Sequence, residues 1–130
     1  MTIGLSTTVR NNRLSQIVTA AGASAILTIY SGTRPATGGT ATTALSAHTC
    51  AATLGTVANG VLTFNAIANA TASATGTATW ARLTTSGGTF VADMDVGTAA
   101  PAEIQMATTS IVLNATVTIN ANGTFTEANA

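Results

Sequence analysis

The sequence predicts an all-β chain, a β-sandwich or jelly roll of about eight to ten short strands, with one N-terminal α-helix before it. Three observations carry this. Apolar residues recur with helical spacing only ahead of Gly22. From residue 23 onward the alternation has period two, as half-buried strands require. Turn signals, Asn59-Gly60, Gly87-Gly88 and Asn122-Gly123 among them, then punctuate the chain at short intervals. Residues 1–22 are accordingly an arm and helix packed on a β-sandwich domain of residues 23–130.

Ser6 is an N-cap candidate for a helix over Thr7–Ala21, and Gly22 its stop. Leu14, Ile17, Val18 and Ala21 form one apolar stripe. Arg10, Arg13 and Gln16 lie on a neighbouring face, open either to solvent or to an acidic partner surface. Residues 25–30 make a strand, closed by Ser31-Gly32-Thr33-Arg34-Pro35. Residues 36–44 are small and rich in Gly and Thr, which predicts a long surface loop, extended across a neighbour or mobile. A weak strand is expected within 45–54. The Asn59-Gly60 pair then sets a hairpin in which Val57 opposes Leu62 and Gly55 opposes Phe64. Residues 67–75 are a small-residue connection.

The segment 76–97 organises the remainder. With a two-residue turn at Gly87-Gly88, Thr85 faces Phe90, Leu83 faces Ala92, Arg82 faces Asp93, Ala81 faces Met94 and Trp80 faces Asp95. Leu83, Phe90, Ala92, Met94 and Val96 then share an apolar face, and Trp80, Arg82, Asp93 and Asp95 the opposite one. A three-residue turn slips one strand and sends Trp80 to the face of Phe90. Residues 98–106 read as a loop with a short strand at its end. Strands follow over 110–113 and 116–119, and Asn122-Gly123 returns a last strand at 124–126.

Charge is sparse and sums to zero: four acidic residues against four basic ones, all Arg. Such a surface offers no basic footprint for nucleic acid, and near-neutrality favours association. No apolar run is long enough to span a bilayer, and the N-terminus lacks the basic-then-apolar pattern of an export signal. Ala and Thr make up about two fifths of the chain, well above ordinary usage. Thr suits a pleated surface, but Ala adds little area to a core. Burial against neighbours would help so thin an interior.

Groups able to do chemistry are few. His48 and Cys50 would share one strand face, yet structural zinc needs four ligands. Asp93 and Asp95 also share a face, where a hard cation is conceivable, but Arg82 accounts for them without one. Arg82 would also keep both carboxylates ionised, whereas a glycosidase pair needs one protonated. No nucleophile elbow or phosphate loop is present. Catalytic, cofactor and metal residues are therefore expected to be absent. Trp80 is either a plug between sheets or, beside Arg82, an interface anchor.

Several segments carry a resemblance: Arg10-Asn11-Asn12-Arg13-Leu14, Ile29-Tyr30-Ser31-Gly32-Thr33-Arg34-Pro35, Gly76-Thr77-Ala78-Thr79-Trp80-Ala81-Arg82, Thr108-Thr109-Ser110-Ile111-Val112 and Ala128-Asn129-Ala130. In order and spread they resemble a family of small virion structural proteins of tailed bacteriophages, encoded among the head genes. The resemblance implies a cement or decoration protein with a β-sandwich or jelly-roll fold on the outer capsid. It brings no catalytic or metal residue with it.

The expectation is a structural protein and not an enzyme, assembled in the host cytoplasm and carried on the capsid exterior. Its partners would be the major capsid protein and its own copies, as homodimer or homotrimer, with no nucleic acid, membrane or cofactor. Arg10, Arg13, Arg34, Trp80, Arg82, Asp93 and Asp95 are the candidate interface residues. A tail-tube or head–tail connector component is the nearest alternative. From another class comes a carbohydrate-binding module with Trp80 exposed beside Asp93 and Asp95.

Overall fold

Ser6 opens the helix as its side chain predicts: the hydroxyl accepts the Val9 N–H at 3.2 Å, satisfying one of the unpaired donors of the first turn. The computed structural model, which describes residues 4–120 and 123–126, places α1 over Thr7–Ala21. Gly22, at φ +68°, closes it by donating its N–H to the Val18 carbonyl. The apolar stripe is the face turned inward. Leu14 and Ala21 are buried, and Ile17 and Val18 pack against the same core.

The described residues are otherwise mostly β. In chain order the strands are β1 (Ile26–Tyr30), β2 (Ala44–Thr49), β3 (Gly55–Ala58), β4 (Val61–Phe64), β5 (Ala70–Thr71) and β6 (Gly76–Thr77). After them come β7 (Trp80–Thr84), β8 (Phe90–Gly97), β9 (Ile104–Gln105), β10 (Ser110–Ile111), β11 (Thr116–Val117) and β12 (Thr124–Thr126). Five strands form one sheet in the order β2-β1-β7-β8-β9, and three form another, β12-β4-β3. Two short ribbons, β10-β6 and β11-β5, complete the set. Among the described residues only the β8–β9 pairing is parallel.

One buried cluster joins these elements. Leu27, Ile29, Leu83 and Met94 enter it from the five-stranded sheet, and Leu62 and Phe64 from the three-stranded one. Ile104, Ile111 and Val117 add the contribution of the later segments. No helix among the described residues is long and apolar enough to cross a membrane.

The β3–β4 hairpin has the expected register, Val57 opposite Leu62 and Gly55 opposite Phe64. Its turn residues Asn59 (φ +52°) and Gly60 (φ +74°) are both left-handed, as a two-residue hairpin needs.

In the β7–β8 hairpin the two registers allowed by the sequence are combined. The tip is a three-residue turn: Thr85 donates to the Thr89 carbonyl, and Gly88, at φ +93°, donates to the Thr85 carbonyl. Thr84, not Thr85, therefore opposes Phe90. An irregularity beyond Leu83 then restores the other register, so that Leu83 meets Ala92, Arg82 meets Asp93 and Trp80 meets Asp95. One extra residue on β8, a β-bulge, reverses the side of everything on the turn side of it. Phe90 consequently shares a face with Trp80 and Arg82, against the apolar face expected for it, while Ala92 and Met94 stay inside.

Other differences have similar local causes. The strand expected over 110–113 pairs only at Ser110 and Ile111, because Ala115 donates to the Val112 carbonyl and closes a turn with Asn114 at φ +68°. The strand expected over 116–119 pairs only at Thr116 and Val117, with β5 from within the supposed connection. The last strand pairs with β4, Phe125 opposite Leu62, and the Phe125 ring meets Phe64 edge-on at 5.2 Å. Asn122 of the expected Asn122-Gly123 turn and the closing Ala128-Asn129-Ala130 lie outside the described residues.

Candidate protein-interaction face

The face of the five-stranded sheet turned away from the core carries Tyr30 on β1, Trp80 and Arg82 on β7, and Phe90, Asp93 and Asp95 on β8. Cross-strand pairing sets Tyr30 opposite Trp80 and Trp80 opposite Asp95. The two rings stack with centroids 4.3 Å apart and planes 12° from parallel, an arrangement that adds to simple area burial. The Arg82 guanidinium lies 5.2 Å from the centroids of both Trp80 and Phe90, within reach of both π faces.

The loop expected at 36–44 to extend across a neighbour or to be mobile instead folds back over this face, with residues 31–43 forming a strap. Ser31 N–H to the Thr43 carbonyl closes its base at 3.0 Å, and the Thr42 hydroxyl bonds the Ser31 carbonyl. A turn at its tip joins Gly39 N–H to the Ala36 carbonyl at 2.7 Å. That turn places Gly38 at φ +73°, which a side chain would oppose. A Cβ at Gly38 would touch the Phe90 ring. The strap is thus seated on an aromatic floor.

Polar contacts fix it there. Arg82 Nε and Nη2 donate to the Asp93 carboxylate at 2.7 and 3.0 Å, and Nη2 also donates to the Gly39 carbonyl at 2.9 Å. Asp93 in turn accepts the Gly38 N–H at 3.1 Å. Trp80 Nε1 donates to the Thr42 hydroxyl at 2.9 Å. Burial alone would push the Asp93 carboxyl up. The hydrogen bonds from Arg82 and Gly38, with the charges of Arg82 and Arg34, outweigh it and hold the carboxyl below the usual range. The bond to Asp93 raises Arg82, with burial opposing it.

Of the seven candidate interface residues, five gather here and two do not. Arg34, Trp80, Arg82, Asp93 and Asp95 share this face. Arg34 reaches Asp95 at 3.1 Å, with both side chains well exposed, whereas the Arg82–Asp93 pair is nearly covered. Arg10 and Arg13 sit on α1. Arg10 bonds the Thr7 hydroxyl at 3.3 Å and lies over Gly60, whose N–H is accepted by the Asn11 side chain at 2.8 Å. Arg13 is exposed on the same helix.

Trp80 itself is wholly buried, yet it lies outside the main core cluster. It plugs the space between its own sheet and the strap, not between two sheets. An exposed Trp80 beside Asp93 and Asp95, the platform a sugar would need, is therefore not available. Tyr30, Thr42, Phe90 and the Gly38-Gly39 backbone were absent from the expected set. Tyr30 could be found only by knowing that β1 pairs with β7, whereas Phe90 falls on this face in the three-residue-turn register that the sequence left open.

The other candidates for chemistry are interior. His48 is fully buried; its Nδ1 donates to the Ala68 carbonyl at 2.8 Å. That leaves Nε2 to accept the Ser46 hydroxyl at 2.9 Å, so the ring is neutral and both nitrogens are satisfied. Cys50 is buried too, and burial pushes its thiol up to about 11, away from reactivity. Among the described residues no three His, Cys, Asp or Glu side chains are grouped to hold a metal. No family model matches the chain, nor does any curated protein or solved structure.

Proposed function

We propose that this chain is a capsid cement or decoration protein, which docks on the outer surface of a shell of major capsid protein and holds neighbouring subunits together. In this reading the fold is a β-sandwich of jelly-roll type. Its support is the shared core between the five-stranded and three-stranded sheets.

The observation that carries the function is the strap. On one sheet face, Trp80, Arg82 and Asp93 grip a loop of small residues, while Arg34, Asp95 and the rim of Phe90 stay accessible around it. The side chains that would ordinarily do chemistry here are used to hold backbone in place. A loop already fixed loses little freedom on docking, and Gly, Thr and Ala let a partner's backbone come close. Arg34 and Asp95 supply opposite charges that set register more than affinity. A modest contact suffices, because many copies on one shell act together. The resemblance to small phage head proteins supplies the identity of the partner.

The test is to add purified protein to undecorated shells and measure bound copies by co-sedimentation. Saturation at a stoichiometry matching the shell symmetry is expected, with weaker binding for Arg34→Ala and Asp95→Ala. A wild-type protein that stays in the supernatant at every concentration overturns the proposal.

A further inference from the structure

A turn tip is ordinarily polar, but the one between β10 and β11 carries two adjacent aliphatic residues in solvent. Val112 is 58% and Leu113 50% exposed, the two largest values for large apolar side chains among the described residues. The turn that presents them is held firmly. Leu113 N–H donates to the Thr75 hydroxyl at 2.9 Å, Asn114 N–H to the Ala72 carbonyl at 3.0 Å and Ala115 N–H to the Val112 carbonyl at 3.0 Å. A groove of about 340 Å³ adjoins it, with Val112 itself part of the wall beside Met106, Ile111, Val117, Thr108 and Thr116. Its size is near the bottom of the range for ligand pockets, and it suits aliphatic side chains better than an extended ligand.

We infer that this turn and groove form the surface through which two copies of the chain associate, Leu113 of one entering the groove of the other and Val112 packing against it from the groove wall. Two features select a second copy as the occupant. First, projection and recess belong to the same short segment, so one patch carries both halves of a self-complementary contact, as a two-fold interface requires. Second, residues 104–120 contain no charged or histidine side chain. Two such patches meet with no like-charge repulsion and no buried unpaired ion, whereas a charged partner would find nothing here to answer it. The inference rests on the proposed reading only for the existence of a contact between copies. The strap face is built on the five-stranded sheet, of which β10 and β11 are not members.

Sedimentation velocity on the full chain and on Leu113→Asp and Val112→Asp tests this. Both sites are exposed, so the folded state should survive, as circular dichroism and buried Trp80 emission would verify. Wild type is expected to self-associate at about 100 µM, and each Asp variant to weaken that by about tenfold or more, with shell binding per chain retained at saturation. As a second measurement, Leu113→Cys mixed with Thr108→Cys should form covalent pairs under mild oxidation, since Cys50 is buried. A wild type monomeric at that concentration, or association untouched by both Asp variants, overturns the inference. So does loss of shell binding with association intact, which would give the patch to the capsid instead. Association through the patch without any shell binding would uphold it while removing the capsid reading.

Discussion

Arg82 and Asp93 hold each other across β7 and β8, and both then hold the same turn of the strap. Arg82 donates to the Gly39 carbonyl, and Asp93 accepts the N–H of Gly38, the adjacent residue. The pair thus matches one peptide turn on its donor and acceptor sides together. With Asp93 almost covered and Arg82 only slightly exposed, neither charge has water to fall back on. Removing one leaves the other desolvated and alone, the costly case for a buried ion pair.

Arg82→Ala and Asp93→Ala should each lose about 3 kcal/mol of stability in urea titrations. The double replacement Arg82→Met with Asp93→Leu should lose less than either, because no orphan charge remains. Additive losses in the double variant would show that the strap, and not the charge pair, sets the cost.

Trp80 is the sole tryptophan, so its emission reports the strap directly. Thr42→Val removes the acceptor of the indole N–H of the buried Trp80. A loss of about 1–2 kcal/mol is expected, with the emission shifted to the red and more open to quenchers. Thr37→Val, on an exposed part of the strap, should change neither reading. Equal behaviour of the two variants would mean that the Trp80–Thr42 bond does not hold the strap.

What could be read from the sequence was local. The helix with Ser6 and Gly22, the Asn59-Gly60 hairpin and the opposition of Arg82 to Asp93 all follow from signals a few residues apart. The strap did not, because a run of Ala, Thr and Gly has no periodicity to say what it covers. Its contacts with Arg82, Trp80 and Asp93 come from about forty or more residues away along the chain and depend on β1 lying beside β7. The bulge on β8 was equally hidden. One inserted residue decides whether Phe90 faces the core or the strap, and both outcomes fit the same alternation. The last strand chose β4 because Phe64 offered Phe125 a ring to pack on, a contact no short-range signal encodes.

Gly55 and Gly22 separate two reasons for a glycine. At Gly55 a Cβ would run into the Thr63 carbonyl, a backbone atom of the paired strand, so Gly55→Ala must push β3 off β4. About 3 kcal/mol is expected, at the upper end for overpacking. Gly22 has open space around it but a positive φ with ψ −163°, a region nearly reserved for glycine. Gly22→Ala should therefore cost about 1–2 kcal/mol from strain alone. Thermal melts rank the pair, and a milder effect at Gly55 would contradict the β3–β4 geometry.

The buried His48 predicts how stability follows pH. Desolvation lowers its pKa below the ordinary 6.5, and the hydrogen bond to Ala68 offsets this only in part. The folded chain therefore resists protonation where the unfolded chain accepts it. Stability from this site is complete above pH 6.5 and is lost as pH falls from there through the folded pKa. Asp93, also depressed, adds a separate loss that begins only near its ordinary 3.8. With no other histidine in the chain, urea midpoints between pH 8 and 3 should fall in two stages. His48→Asn keeps a donor for the Ala68 carbonyl but cannot take up the proton. It should flatten the first stage and leave the second. Curves for the two proteins that stay parallel through the first stage would show that burial does not keep the imidazole from protonation in the fold.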